Sequence, residues 1–318
     1  MKIADNANLR RRHAMAQLCI DYASTDDQTS TPDFAKVRAA GGRMVIIRAI
    51  YGRAISGKGA IHNQGGTYWD PYWDRDYQAV LDAKLCLSAY LFLCVPRKGY
   101  TTPEPEVQAQ ALIDYVGSVL TPGNKLTCVP FFDVEEESDV LTSSQYFDWC
   151  LRAATVLRRH YGAWPGMYTS NRVWQEYLKG HASGLLQHCP LWIAKPWPWA
   201  TRTPVHLDGA AGYSPTTIPE FGDATNWLLY QYQGDATHMP GMQSICDASR
   251  ANMLYRGCHG TFVKWIQARV GAKVDGDFGT ETEKDVKVVQ AAHGLDADGI
   301  AGISTNCVLS WLRPDPAC

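Results

Sequence analysis

The 318-residue chain is poor in the signals that assign a protein quickly. Its ten cysteines include no Cys-x-x-Cys pair and no Cys/His cluster at zinc spacing, so neither a structural nor a catalytic zinc site is indicated. Neither charge sign dominates: 30 Lys and Arg stand against 32 Asp and Glu, a formal charge of −2. That balance argues against a nucleic-acid binder, whose basic stripe would show as an excess. Long apolar runs are missing too. The longest, residues 86–96, is about half the ~20 residues that a spanning helix needs. The opening MKIADNANLRRRHAMAQ has no apolar core, so no secretory signal is visible. No glycine-rich phosphate loop appears, the nine histidines have no metal spacing, and no cofactor is implied.

What is present is enough for a substantial core. Apolar residues make up 46% of the chain and aromatics 11%, with 11 Trp and 16 Tyr. Charged residues, at 19%, fall below the usual quarter, which excludes a disordered polyelectrolyte. The length corresponds to about two domains at roughly 150 residues each. Most cysteines lie inside apolar runs and read as small hydrophobes, which fits folding in a reducing cytoplasm. An exported protein would be free to pair some of them.

Short apolar segments alternate with helical patterns over most of the length. Strands are expected at 18–21, 44–50, 87–93, 128–133, 166–169, 191–194 and 228–232, each brief and bounded by turn residues. A helix is expected over 33–40, behind Ser30-Thr31-Pro32 and before Gly41-Gly42. Val107, Ala111, Tyr115 and Val119 form a second helical stripe, and Tyr146, Cys150, Ala153 and Leu157 a third. This alternation reads as a parallel sheet covered by helices, and about seven strands in ~240 residues favour a barrel. Ligands of such barrels meet the C-terminal strand ends. Two of those ends are acidic: Cys19-Ile20-Asp21 and Phe131-Phe132-Asp133-Val134-Glu135.

Composition changes near residue 253, where a small helical unit begins. Asp275-Gly276-Asp277-Phe278-Gly279, followed by Thr282, is repeated as Asp298-Gly299-Ile300-Ala301-Gly302, followed by Thr305. Each Asp-Gly predicts a tight turn with positive φ, and each Gly-x-x-Thr leads into a helix. Helices are expected at 262–270, 283–292 and 305–312, sharing a core of Trp265, Ile266, Val286, Val289, Val308 and Leu309. The expected division is an N-terminal arm (1–13), a barrel (14–252), a linker (253–259) and a three-helix domain (260–318). The arm's Lys2 and Arg10-Arg11-Arg12-His13 suit anionic envelope polymers, although a solvated arm is the plainer reading.

On a strand, residues i and i+2 share a face, so Phe131, Asp133 and Glu135 point one way and Phe132 and Val134 the other. Two carboxyl groups so placed repel when both are ionised, and one pKa rises. A protonated acid beside a carboxylate is what glycosidic cleavage requires. The same Asp-x-Glu reads as a solvated strand end running on into Glu136, Glu137 and Asp139, and the motif alone leaves both readings open.

The first ~250 residues resemble glycoside hydrolase family 25, the muramidase-type lysozymes. The likeness rests on Cys19-Ile20-Asp21, Asp33-Phe34-Ala35-Lys36-Val37, Val45-Ile46-Ile47-Arg48-Ala49 and Ala89-Tyr90-Leu91-Phe92. It continues through Phe132-Asp133-Val134-Glu135, Gly166-Met167-Tyr168-Thr169-Ser170, Pro190-Leu191-Trp192-Ile193-Ala194, Tyr230-Gln231-Tyr232 and Cys246-Asp247, all in the family order. The resemblance implies an irregular TIM-like α/β barrel, with Glu135 as general acid and Asp133 as its carboxylate partner. It implies Asp21 and Asp247 as further acidic residues of the groove, and Tyr90, Tyr168, Trp192 and Gln231 as sugar contacts. Both tyrosines read equally as buried strand aromatics, and Trp192 as core unless its edge meets the groove. The chain departs from the family at Asp247-Ala248-Ser249, where Asp-x-Asn is usual, and at Tyr22-Ala23-Ser24. Strand spacing puts the Asp133 and Glu135 Cα atoms roughly 6.5–7 Å apart and leaves the stereochemistry open; the resemblance implies retention.

Residues 260–312 resemble the small peptidoglycan-binding domain of wall hydrolases, through Val263-Lys264-Trp265-Ile266-Gln267, the doubled Asp-Gly turns, Val289-Gln290 and Gly294-Leu295. Together the two resemblances imply a modular lysozyme whose partner is bacterial peptidoglycan. Its layout is that of a phage endolysin made in the host cytoplasm as a monomer and reaching the wall through a separate membrane lesion. The rivals are a non-catalytic wall-binding protein on a hydrolase fold, and a wall amidase or peptidase.

Overall fold

The computed structural model describes residues 17–26, 28–58, 62–181, 189–194 and 227–312. The expected basic arm and Cys318 lie outside the described residues.

Eight strands form a closed ring. They are β1 (Leu18–Tyr22), β2 (Gly42–Tyr51), β5 (Cys86–Phe92), β6 (Phe131–Val134), β7 (Gly166–Thr169), β8 (Leu191–Ala194), β9 (Trp227–Ala236) and β10 (Cys246–Ala251). Neighbours run parallel from β1 through β9, and β1 closes the ring by pairing β2 on one side and β10 on the other. β10 runs antiparallel to both β9 and β1, which makes the barrel irregular. A small ribbon, β3 (Asn63–Gln64) and β4 (Thr67–Trp69), extends from β2 outside the ring.

Seven of these strands fall where apolar periodicity predicts them; the eighth does not. Cys-Asp-Ala-Ser-Arg-Ala is poor in β-branched and aromatic residues, and β10 is held as a strand by its two neighbours rather than by propensity. The fourth expected strand begins late, at Phe131, because Pro130 has no N–H for the ladder.

The helices are amphipathic covers. α1 (Phe34–Ala39) is capped by Asp33, whose side chain accepts from Lys36 N–H, and buries Phe34 and Val37. α2 (Pro71–Asp82) starts on Asp70 with proline at N1 and buries Trp73, Tyr77 and Val80. α3 (Pro105–Val119) packs against α4 (Ser143–Tyr161), which opens with a Thr142/Gln145 capping box and ends on left-handed Gly162. After β7 comes a single turn, α5 (Asn171–Val173), that runs into a π-helical turn at Trp174–Leu178.

Alternation sorts the strand residues cleanly. Ile20, Val45, Ile47, Leu87, Ala89, Leu91, Phe132 and Val134 join the helices in one core. Cys19, Met44, Ile46, Tyr90, Phe131, Tyr168 and Trp192 fill the inside of the ring. That inner cluster continues without a break into the C-terminal helices α6 (Thr261–Val270), α7 (Thr280–Ala292) and α8 (Ile303–Trp311).

α8 covers the floor of the barrel, at the N-terminal strand ends. Gln17 Oε1 accepts from Ile303 N–H at 2.5 Å, Ser310 Oγ accepts from Val129 N–H at 3.2 Å, and Trp311 packs on Tyr161 with ring centroids 6.0 Å apart. The repeated turns close as expected, with Gly276 and Gly299 at φ of +86° and +79°. A buried glutamine threads each of them. Gln267 Nε2 donates to Asp275, to the Asp277 carbonyl and to Thr282, and its Oε1 accepts from Gly276 N–H. Gln290 repeats all four bonds with Asp298, Ile300, Thr305 and Gly299.

Two stability outcomes are expected. A Cβ on Gly166 would lie 2.2 Å from the Phe131 ring inside the barrel, so Gly166→Ala should lower stability by about 1–3 kcal/mol in a denaturant titration. Ending the chain at residue 259 uncovers the floor, and the shortened protein should unfold at a lower temperature than the whole chain in calorimetry.

Candidate active site

Inward-facing residues near the C-terminal strand ends are polar. β1 contributes Asp21, β2 Arg48, β5 Tyr90, β6 Asp133, β7 Tyr168, β8 Trp192, β9 Gln231, and β10 Asp247 and Ser249. Glu135 follows one residue beyond β6. Asp21, Arg48, Asp133 and Gln231 each sit two residues after an apolar inward neighbour, Cys19, Ile46, Phe131 and Leu229, so these strands are greasy at the floor and polar at the mouth.

The residues expected at the site converge there. Tyr168 O–H donates to Gln231 Oε1 at 2.9 Å, and Gln231 Nε2 donates to Asp247 Oδ2 at 2.9 Å. The other oxygen, Asp247 Oδ1, accepts from Asp235 N–H at 2.7 Å. Trp192 meets Tyr168 edge-on at 4.7 Å between centroids and Tyr90 at 6.5 Å. Its indole N–H donates to Ser249 Oγ at 3.0 Å, and the ring is 2% exposed. Trp192 is therefore a wall that props the two tyrosines, with no open stacking face. Ser249 supplies the acceptor for that wall.

The carboxyl groups share one electrostatic environment. Asp133 and Asp21 are each 6% exposed, and each leaves one oxygen, Oδ1, without a hydrogen-bond partner. Burial pushes Asp133 well above the ordinary carboxylate range, with Glu135 and Asp21 adding repulsion and Arg48 opposing it. Asp21 is raised well above that range by burial and then by Asp247 and Asp26, while Asp247 is pushed up to about 8, mainly by burial. Glu135 is exposed at the mouth yet crowded by protein, and its pKa is raised by that desolvation.

Two corrections to the sequence expectation follow. Burial, and not the neighbouring charge, is the largest cause for both members of the pair, and the anion that adds to Glu135 is Glu136 rather than Asp133. The Tyr168 hydroxyl opposes the rise when it donates to Glu135. Its single proton is directed to Gln231 Oε1 at 2.9 Å, which leaves the Tyr168 oxygen only acceptor capacity.

The acidic run after Glu135 is not a solvated tail. Glu136 is clamped by Arg53 at 2.6 and 2.7 Å and accepts from Val95 N–H, with both side chains 8% exposed. Glu137 pairs with Arg172, Asp139 accepts from Lys98 N–H, and Tyr146 O–H donates to the Glu136 carbonyl. These bonds fix the backbone that carries Glu135.

Three further residues belong to the site. Arg48, 6% exposed, pairs with fully buried Asp70 at 2.9 Å and reaches the field of Asp133, Tyr90 and Asp26. Asp26 accepts from Ala23 N–H at 2.7 Å and is raised by burial to about 6. Asp70 also accepts from the Ser24 N–H and hydroxyl, tying the loop after β1 to α2. Arg48 was findable as the one charge in the expected strand 44–50, on the Met44–Ile46 face. Asp26, in a loop, carries no such periodic mark.

The family model for glycosyl hydrolases family 25 matches residues 20–242, which is most of the chain and includes the strands of the ring except β10 and the first two residues of β1. The chain belongs to glycosyl hydrolase family 25. A peptidoglycan binding domain model matches residues 260–309. No curated protein matches the sequence. Among solved structures, a bacterial lysozyme from Streptomyces coelicolor is 18% identical with a TM-score of 0.52, covering 74% of this chain and 92% of that one. A family 25 lysozyme from Aspergillus fumigatus is 20% identical with a TM-score of 0.52, covering 74% and 94%. The catalytic domain of an endolysin from a Listeria monocytogenes bacteriophage is 15% identical with a TM-score of 0.52, covering 75% and 94%. At these identities the likeness is one of fold, and it agrees with the family assignment.

The raised carboxyl groups give this hydrolase a pH signature. Between its ordinary 3.8 and about 8, Asp247 keeps its proton when folded and loses it when unfolded. The folded state then binds more protons, so stability falls as pH rises through that window. Thermal unfolding across it should show the decline, and Asp247→Asn should flatten it.

Proposed function

We propose that the chain is an N-acetylmuramidase, a lysozyme that hydrolyses the β-1,4 bond between N-acetylmuramic acid and N-acetylglucosamine in peptidoglycan. The observation that carries this reading is the pairing of an exposed, upshifted Glu135 with a recessed, buried Asp133 on one face of the ring.

In this reading Glu135 protonates the glycosidic oxygen as the bond breaks, which its raised pKa and its fixed backbone favour. Asp133 faces the sugar from behind with a free Oδ1, suited to accept the N–H of the 2-acetamido group. The acetamido oxygen then closes on the anomeric carbon as positive charge develops there. Water returns through Glu135, now acting as base, with net retention. Asp21 and Asp247 line the groove, and Gln231 orients Asp247 and Tyr168. The Tyr90 and Tyr168 edges contact sugar, held by Trp192.

The barrel occupies 14–252, and 253–259 leads to a wall-binding unit at 260–318. That last lead is stitched to the unit it precedes, through the Leu254–Ala301 and His259–Asp277 bridges. The layout suits a monomeric phage endolysin, made in the host cytoplasm and admitted to the wall by a separate membrane lesion.

Product analysis on purified peptidoglycan tests the reading. Digestion should release new reducing ends on muramic acid and no new amines; free amines would instead indicate an amidase or peptidase. Glu135→Gln should lower the release by roughly 10²-fold or more while sedimentation with intact walls is unchanged. A variant as active as the parent would remove Glu135 from the acid role.

A further inference from the structure

The barrel floor, at the far end from the carboxyl groups, holds a cluster of sulfur atoms that hydrolysis does not use. Met44 and Cys86 are direct partners across β2 and β5. Against them lies one face of α8, where Ser304, Cys307 and Ser310 recur every three residues. Cys307 Sγ is 3.9 Å from Met44 Sδ, Ser304 Oγ is 3.8 Å from Cys86 Sγ, and Ser310 Oγ is 3.6 Å from Cys128 Sγ. The thiols of both Cys86 and Cys128 act on the titration of the Cys307 thiol. One helix thus carries a thiol between two thiols of the barrel.

The three sulfurs differ in access. Cys86 and Cys307 line a cavity of about 850 Å³ between the barrel floor and the C-terminal helices, and Cys128 does not. Cys86 is partly exposed, whereas Cys307 and Cys128 are buried. They differ in acidity as well. Interactions with Cys307, Ser304 and Thr127, with Arg38 nearby, hold the Cys86 thiol below its ordinary range, while Cys307 is raised well above it. Cys258, the other partly exposed cysteine among the described residues, is raised by burial. An accessible thiol of lowered pKa beside a second thiol is the arrangement that reacts with disulfides and then resolves.

We propose that Cys86 and Cys307 form a thiol-oxidation site, in which a small-molecule disulfide such as oxidised glutathione converts the pair to an intrachain disulfide joining β5 to α8. The Cys86 thiolate attacks one sulfur of the oxidant, whose S–S bond breaks. A mixed disulfide forms, and the first small thiolate leaves with the proton that Cys86 gave up. Cys307, losing its proton in turn, attacks the Cys86 sulfur and expels the second small thiol. The oxidant takes two electrons and two protons and leaves as two thiols. The product fastens the C-terminal unit covalently to the floor that it covers, and dithiols reverse it.

The test uses the whole chain, reduced, desalted and incubated with oxidised glutathione, then digested without reduction for mass spectrometry. The first linked product should contain Cys86 and Cys307. It should be lost in Cys86→Ser and kept in Cys128→Ser, and it should raise the unfolding temperature until dithiothreitol is added. In the untreated native chain, iodoacetamide should label Cys86 before Cys258. A first product joining other cysteines, a stable glutathione adduct on Cys86, or labelling of Cys258 ahead of Cys86 would each overturn the proposal, and none of the three needs a variant to fold.

Discussion

Four carboxyl groups share the mouth of a closed ring, and burial is the first cause of the raised pKa in each of Asp21, Asp133, Glu135 and Asp247. The rest of the architecture answers to that constraint. A carboxylate taken out of water either finds a partner or keeps its proton. Arg48, the guanidinium that reaches this group, is itself spent on Asp70. The site therefore stores protons rather than neutralising charge with cations, and a proton held at the mouth is what an acid catalyst needs. The neighbour repulsion that strand spacing predicts is real for Asp133, but it acts on groups that burial has already shifted.

Holding an acid at an exposed position requires a rigid backbone beneath it. Glu135 lies just past the end of β6, where no ladder holds the chain. The constraint comes instead from its successors. Glu136 is buried in the Arg53 clamp, Ser138 Oγ donates to the Pro96 carbonyl at 2.6 Å, and Tyr177 O–H donates to the Ser138 carbonyl at 2.9 Å. The clamp is a buried ion pair, and removing one partner of such a pair leaves an uncompensated charge at a cost of roughly 3–5 kcal/mol. A run of acids that reads as solvent-facing is thus the fixture that aims Glu135.

The legible parts of the sequence were those governed by local period. Alternation put Asp133 and Glu135 on the inner face with Phe131, and the same rule applied to Met44 and Ile46 would have added Arg48. Start and stop signals at Ser30-Thr31-Pro32 and Gly41-Gly42 marked α1, whose cap is Asp33, and turn chemistry marked both Asp-Gly turns, although the equal offset of Gln267 and Gln290 from those turns passed as ordinary helix. Contacts closed over long separations stayed hidden. Arg53 and Glu136 are 83 residues apart, and nothing local pairs them. β10 is a strand only because a ring with β1 and β9 on its two sides needs one there. The helices of the C-terminal unit read as sharing a private core, and Trp265, Ile266, Val286 and Leu309 do lie in it. That core, however, is continuous with the inside of the barrel.

This continuity ties the two ends of the ring together. Strands that are polar at the mouth can give the barrel interior only its lower layers of apolar packing, from Cys19, Met44, Phe131 and Leu229. Those layers would face water at the floor if α8 did not cover them. Covering them with a helix of the C-terminal unit removes the exposed apolar surface that a partly polar interior would otherwise leave. It also fixes the unit at the end of the strands opposite the carboxyl groups. A domain on a slack tether acts by raising local concentration around the catalytic mouth. A domain docked against the floor holds its own surfaces at a set distance and angle from that mouth, so its contribution depends on geometry and not on linker length.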